Sequence, residues 1–113
     1  MRGSEEVKNW MNMFRWIVKL IRDEYGIEEA KLTRTAEIEK DLSLTLEQLE
    51  QILDYIQDGF QVKFPDGTLN ELVKLGELCL VASWLAGFYK KPEFLGAAYV
   101  ESAAAMNPRA AAA

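Results

Sequence analysis

The hydroxyl and carboxylate side chains between residues 43 and 58 are the first candidates for chemistry in this chain of 113 residues. Ser43 and Thr45 place hydroxyl groups just before a predicted helix. Four carboxylates then follow at helical spacing: Glu47, Glu50, Asp54 and Asp58. Such a row lies on one helix face and is usually a solvated surface, because a hard-cation site needs oxygen ligands from a second element as well. We therefore expect no metal here, and we interpret the row as a surface that binds a protein.

The residue types that most enzymes require are missing or isolated. The chain has no histidine, which removes the commonest general base and the commonest metal ligand. Its single cysteine, Cys79, lies in an apolar run with no histidine to activate it, so we expect a core thiol. The glycines are isolated from one another and form no phosphate-binding loop. The sequence therefore predicts a protein that is not an enzyme.

Composition narrows the choice of partner. The net charge is −5 and the basic residues are scattered, whereas a nucleic-acid surface needs a clustered positive footprint. An acidic protein more often meets a basic patch on another protein. The apolar run at 75–88 is too short to cross a bilayer, and the first ten residues lack the apolar core of a signal peptide. We therefore expect a cytoplasmic protein that binds neither nucleic acid nor membranes.

Apolar residues recur at intervals of three and four, which predicts an all-α fold. A first helix is expected from an N-cap at Ser4 to Tyr25, with Gly26 just beyond its end. A second runs from Leu46 to Phe60, opened by a capping box of Thr45 and Gln48. The long segment between them is expected to be an ordered loop held to the core by three apolar residues: Ile38, Leu42 and Leu44.

The second half of the chain predicts two more helices. Thr68 and Glu71 form another capping box, so we expect a third helix to open there. Seven of its residues are available for burial: Leu69, Leu72, Val73, Leu75, Cys79, Ala82 and Leu85. Gly76 either weakens that helix or lets a neighbour approach closely. Pro92 suits the first position of a last helix, and the tail after it has little to bury. We divide the chain into a bundle at 1–90 and a C-terminal helix with its tail at 91–113.

Aromatic side chains are numerous for a small bundle. They include Trp10, Trp16, Trp84, Phe88, Tyr89 and Phe94. Most of them are expected in the core, but the interior of a small bundle is limited. Those that do not fit could form a patch for a partner or for a second copy, so a homodimer is one expected state.

The stretch IEKDLSLTLEQLEQILDYIQDGFQVKFP resembles the acyl carrier protein family, whose members have a loop of aspartate, leucine, glycine and leucine before an acidic helix. Asp41, Leu42 and Leu44 match the loop, and TLNELVKL at 68–75 resembles the carriers' third-helix region. The match covers residues 7–75. The resemblance implies a small helical bundle of three or four main helices with a long loop between the first two, and here with an extra C-terminal helix.

The chain departs from carriers at the position that defines them. The serine that bears the phosphopantetheine arm is replaced by Leu46, and the aspartate before it by Thr45, so no phosphopantetheine is expected. Ser43, where carriers usually have glycine, and Thr45 are the alternative attachment sites. The pattern T-x-x-IE-x-DL-x-L-T, which runs from Thr35 to Thr45, looks most like bacterial acyl-carrier-like proteins without the serine. We therefore expect a non-catalytic interaction module, with a true carrier or a small lipid-binding protein as alternatives.

Overall fold

The computed structural model describes residues 10–112, which fold into a mostly helical bundle, so the all-α prediction is confirmed. Its five α-helices are α1 (Trp10–Tyr25), α2 (Leu46–Phe60), α3 (Leu75–Leu85), α4 (Ala97–Met106) and α5 (Pro108–Ala112). Short 3₁₀ helices occupy Glu29–Lys31 and Thr68–Glu71. None of the helices in this part of the chain has both the length and the apolarity that crossing a bilayer requires.

Helix α1 ends where its sequence predicts. Gly26 has φ +68°, a left-handed conformation that glycine adopts without strain, and its N–H donates to the Arg22 carbonyl at 3.0 Å. The predicted N-cap, Ser4, lies outside the described residues. The inner stripe of α1 is buried, mainly against α3: Met13, Ile17, Val18 and Ile21.

Helix α2 has both of its predicted ends. The Thr45 hydroxyl accepts from the Gln48 N–H at 3.1 Å, and the Gln48 amide oxygen accepts from the Thr45 N–H at 3.0 Å. This reciprocal capping box satisfies two N–H groups that the helix leaves without partners. The buried residues of α2 are Leu49, Ile52 and Ile56.

The loop between α1 and α2 is ordered and anchored by its apolar residues, as expected. Ile38, Leu42 and Leu44 are all buried. The loop also pairs with the start of α3: the Ile38 N–H donates to the Val73 carbonyl just before the helix, and the Gly76 N–H in its first turn donates to the Arg34 carbonyl, each at 2.9 Å.

Gly76 makes that second approach possible. A Cβ atom at this position would lie 2.9 Å from the Arg34 carbonyl oxygen, closer than real Cβ atoms come to other atoms. Of the two roles predicted for Gly76, the structure therefore supports the close approach of a neighbour.

The predicted capping box at Thr68 and Glu71 is wrong. These residues form a separate 3₁₀ turn, because both side chains bind elsewhere. The Thr68 hydroxyl donates to the Pro65 carbonyl at 2.7 Å and lies 2.8 Å from the Tyr99 hydroxyl. The Glu71 carboxylate accepts from the Gly96 N–H at 3.0 Å.

Helix α3 therefore begins later, at Leu75. The Glu77 carboxylate holds its first turn by accepting from the N–H groups of Val73 and Lys74 at 2.8 and 3.0 Å. Val73, one of the residues available for burial in the predicted helix, lies before the helix and is 55% exposed.

The C-terminal segment also differs from its prediction. Pro92 does not open the last helix; it is buried in the preceding loop, and α4 begins at Ala97 after Gly96 as its N-cap. The tail buries more than expected, since Asn107 and Ala110 are both buried. The tail is therefore part of the packed bundle as far as the structure describes it.

Two side chains connect this tail to the end of α2. The Asn107 amide accepts from the Lys63 N–H and donates to the Lys63 carbonyl, both at 2.8 Å. The Arg109 guanidinium donates to the carbonyl oxygens of Phe60 and Gln61 at 2.6 and 2.5 Å. The bonds from Arg109 satisfy carbonyl groups at the C-terminal end of α2, where a helix leaves carbonyl groups without partners.

Candidate docking face on α2

The four predicted carboxylates all lie on the exposed side of α2. Glu47, Glu50, Asp54 and Asp58 are exposed, while the opposite side of the helix is buried in the core. Asp54 accepts a hydrogen bond from the Gln57 side chain at 3.3 Å. We call these four residues the acidic face.

No basic side chain of the described residues neutralises the acidic face. The three ion pairs within residues 10–112 are Lys19–Asp23, Arg22–Asp23 and Arg22–Glu29, and none of them involves α2. The negative charge of α2 is thus balanced only by solvent ions in this part of the chain. Such a surface attracts cations and positively charged partners.

A cleft of about 430 Å³ lies beside the acidic face, between α2 and the segment 64–70. It is bordered by three carboxylates, those of Glu50, Asp54 and Asp66, and no lysine or arginine lines it. Its apolar lining comes from both sides: Leu46, Leu53, Phe64, Pro65 and Leu69. We call this the acidic cleft. It combines apolar surface with one sign of charge, as protein-binding surfaces often do.

The structure brings only two of the four predicted residues to the acidic cleft. Glu50 and Asp54 line it, whereas Glu47 and Asp58 lie on the same face of α2 but outside the cleft. Asp66 was missed by the sequence reasoning, although the Pro-Asp-Gly sequence marks a turn there. What the sequence lacked was any sign that this turn folds back beside α2.

Leu46 is the most exposed large apolar side chain of the described residues, at 65%. It borders the acidic cleft and also a second cleft of about 400 Å³ that lies toward residues 37–40 and 72–73. Leu69 and Asn70 line both clefts as well. Leu46 therefore stands between two concave surfaces, where an incoming apolar group could contact it from either side.

The two hydroxyl groups near Leu46 have different settings. Thr45 uses its hydroxyl to cap α2, whereas Ser43 is exposed with φ +52°. A left-handed φ at a non-glycine residue costs free energy, about 1–2 kcal/mol. Neither hydroxyl has a histidine to activate it, because the chain contains none.

Cys79 is fully buried, which confirms that it is a core thiol. Burial raises the pKa of the Cys79 thiol to about 12, so it stays protonated at neutral pH. Its S–H donates to the Trp10 carbonyl at 3.1 Å. The thiol therefore helps to fix α3 against α1.

Tyrosine hydroxyl groups tie α2 to the end of α1. The Tyr25 hydroxyl donates to the Gln51 side chain at 2.9 Å, and the Tyr55 hydroxyl donates to the Glu24 carboxylate at 3.2 Å. The negative charge of Glu24 raises the pKa of Tyr55, so this hydroxyl keeps its proton at neutral pH. These contacts position α2 without using its acidic face.

The space between α1, α2 and α3 is filled by side chains that are almost completely buried. They include Met13, Ile17, Ile21, Ile52, Ile56, Leu75 and Leu85. An acyl chain could enter this space only by displacing some of them. Over residues 10–112, no three histidine, cysteine, aspartate or glutamate side chains are grouped as metal ligands.

Comparison with known proteins adds no relative. The chain matches no protein-family model, no curated protein and no solved structure. A function for this surface therefore has to be argued from its own geometry and charge.

Proposed function

We propose that this protein is a non-catalytic interaction module whose acidic face and acidic cleft dock a partner protein with a basic surface. The observation that carries the proposal is the coincidence of unpaired negative charge and exposed apolar surface at one place. Glu50, Asp54 and Asp66 border the cleft without a cation, and Leu46 and Leu69 supply apolar contact.

The two kinds of group have different tasks in such a complex. Exposed carboxylates raise the rate of encounter with a positive surface and select against acidic partners. Apolar side chains that become buried slow dissociation, and a few such anchors usually carry most of the binding free energy. We therefore expect the carboxylates to govern association and Leu46 to govern the lifetime of the complex.

The proposed module has an acyl-carrier-like fold and is bacterial and cytoplasmic. The order of helices, with a long loop between α1 and α2 and a short turn before α3, is what that resemblance implies. Ser43 adds support, because it has a left-handed backbone where carriers usually have glycine. The buried thiol of Cys79 is compatible with a reducing compartment.

We further propose that the module carries no phosphopantetheine. Leu46 offers no hydroxyl at the attachment position, and the Thr45 hydroxyl already caps the helix. Intact mass, measured after incubation with a phosphopantetheinyl transferase and coenzyme A, tests this point. We expect no change in mass, while an authentic carrier in the same reaction gains the arm. A gain in mass that Ser43→Ala or Thr45→Ala abolishes would identify a true carrier.

Charge reversal tests the docking proposal. The test variant combines Glu47→Lys, Glu50→Lys and Asp54→Lys, and the control variant combines Glu28→Lys, Glu93→Lys and Glu101→Lys. The control residues are exposed, line none of the clefts described above and change the net charge by the same amount. Tagged chains are used to capture proteins from an extract of the source cells, with quantitative mass spectrometry as the readout.

We expect the wild-type chain and the control variant to capture the same basic protein. The test variant should capture at least about tenfold less of it, as expected when several close charge pairs are lost. Equal capture by both variants would overturn the proposal. Circular dichroism must show the same helix content for all three chains, so that lost capture reports on the surface and not on folding.

A further inference from the structure

A second groove with the opposite charge runs between α1 and the segment 29–34. It consists of two adjoining depressions of about 550 and 360 Å³ that share Phe14, Arg15 and Leu32. Its apolar lining includes Trp10 and Val18. One carboxylate, that of Glu29, and four basic residues border it: Arg15, Lys19, Arg22 and Arg34. We call this the basic groove.

Two of these four cations have no acidic partner within residues 10–112. Arg22 is paired with Asp23 and Glu29, and Lys19 with Asp23. By contrast, Arg15 bonds only to the neutral Asn12 side chain, at 2.7 Å, and Arg34 forms no ion pair in this part of the chain.

Arg34 is held in position to bind an anion. Its guanidinium lies over the Trp10 ring, 5.1 Å from the ring centroid. A guanidinium that stacks on an aromatic face keeps its in-plane N–H groups free to bind a carboxylate. The basic groove thus presents two cations beside an apolar surface, which matches the acidic cleft in kind and opposes it in charge.

The basic groove and the acidic cleft share no lining residue, so one copy of the chain can use both at the same time. We propose that the basic groove receives the acidic face of a second copy, in a head-to-tail contact. Leu46 of one copy packs on the Phe14 side of the groove of the next, and Glu47 and Glu50 meet Arg15 and Arg34. The carboxylates and cations used here are the ones without an ion pair in the described residues.

A contact between two different surfaces of the same chain has a distinctive consequence. It leaves one groove and one acidic face unoccupied at the ends of each dimer, so assembly continues to longer chains or closes into a ring. It also competes with any partner that docks on the acidic face, because both use Glu47 and Glu50. The charged contribution weakens as salt screens it.

Complementation between two neutralised variants tests this contact. One variant carries Arg15→Gln and Arg34→Gln, which disables the groove, and the other carries Glu47→Gln and Glu50→Gln, which disables the acidic face. A control with Lys90→Gln and Lys91→Gln changes two exposed cations that line none of the grooves described here. Sedimentation velocity at low salt, with chains at up to about 1 mM, measures the mass of each species.

We expect the wild type and the control to form species larger than dimers, and each test variant to sediment as a single chain. An equimolar mixture of the two variants should yield a species of two chains and nothing larger, because only one contact can form. The proposal is overturned if the wild type stays monomeric under these conditions or if either variant alone assembles like the wild type. The Arg15→Gln, Arg34→Gln variant should capture a partner protein on its acidic face as well as the wild type does, whether or not the head-to-tail contact exists. Partner capture therefore tests the docking proposal separately from this contact.

Discussion

Helices α2 and α3 are held in the same bundle by different means. Eight of the eleven residues of α3 are buried, so packing fixes this helix on nearly all sides. Helix α2 is longer, at fifteen residues, yet only three of them are buried. Its ends are held instead by polar contacts, with Thr45 and Gln48 at the start and Asn107 and Arg109 at the finish.

This difference separates stability from recognition. A helix that is buried all round cannot present a binding surface, whereas a helix held at its ends and along one stripe can expose the rest of its surface. The acidic face and Leu46 therefore lie on α2, where changing them costs little packing. Helix α3 contributes the core on which α2 rests.

The largest expected effect comes from paired leucine substitutions. Leu85 in α3 is fully buried and Leu46 in α2 is 65% exposed. Leu85→Ala should lower the free energy of unfolding by about 2–5 kcal/mol, because it removes packed atoms and leaves a cavity. Leu46→Ala should change it by less than about 0.5 kcal/mol. Urea unfolding followed by tryptophan fluorescence measures both, and similar losses would refute the contrast between the helices.

Asn107→Ala tests the contact that holds the end of α2. The Lys63 N–H and carbonyl lose their partner in a partly buried site, so we expect a loss of about 1–3 kcal/mol in the free energy of unfolding. Asn70→Ala is the control, because Asn70 is exposed and its side chain forms no hydrogen bond within the described residues. If both substitutions cost the same, the tail does not brace α2 in the way its hydrogen bonds indicate.

Thr45→Ala removes the cap at the other end of α2. We expect a loss of about 1 kcal/mol, with faster amide hydrogen exchange at Gln48, whose N–H loses its acceptor. Thr45→Ser should retain most of the stability because it keeps the hydroxyl. Thr35→Ala, at an exposed loop position, is the matched control. An unchanged exchange rate at Gln48 would show that the cap does not hold the first turn.

The smallest expected effect is a gain in the free energy of unfolding. Ser43→Gly should raise the free energy of unfolding by roughly 0.5 kcal/mol, because relief of the left-handed backbone exceeds the entropy that glycine loses on folding. Ser102→Gly, at an exposed position inside α4, should instead lower it by about 1 kcal/mol. If the two substitutions have the same sign, the backbone at Ser43 is not strained.

Local sequence signals predicted the first and last residues of α2 and the last residue of α1. A capping box, a regular apolar stripe and a glycine after the last turn act within a few residues of one another, so the sequence alone contains them. The capping box expected at Thr68 had the same local pattern and is wrong. The Thr68 hydroxyl binds Pro65 and Tyr99, and the segment 73–76, which includes the start of α3, pairs with residues 34–38. Those partners are distant in sequence, and no local pattern announces them.

The candidate site also has one part that local sequence signals predict and one part that they do not. The acidic face follows from helical spacing, so it could be read from residues 47–58 alone. The acidic cleft could not, because Asp66 and Leu69 reach it from a turn that must first fold back beside α2. The fully buried position of Cys79, by contrast, was foreseeable from the apolar run around it.

The salt dependence of partner capture by the acidic face tests the central claim most directly. Exposed charges are screened over about 10 Å at 0.1 M salt and about 3 Å at 1 M, so capture by the wild type should fall steadily across that range. The variant with Glu47→Lys, Glu50→Lys and Asp54→Lys should show low capture throughout. Wild-type capture that stays constant from low to high salt, and that equals capture by the charge-reversed variant, would contradict an electrostatic docking function for α2.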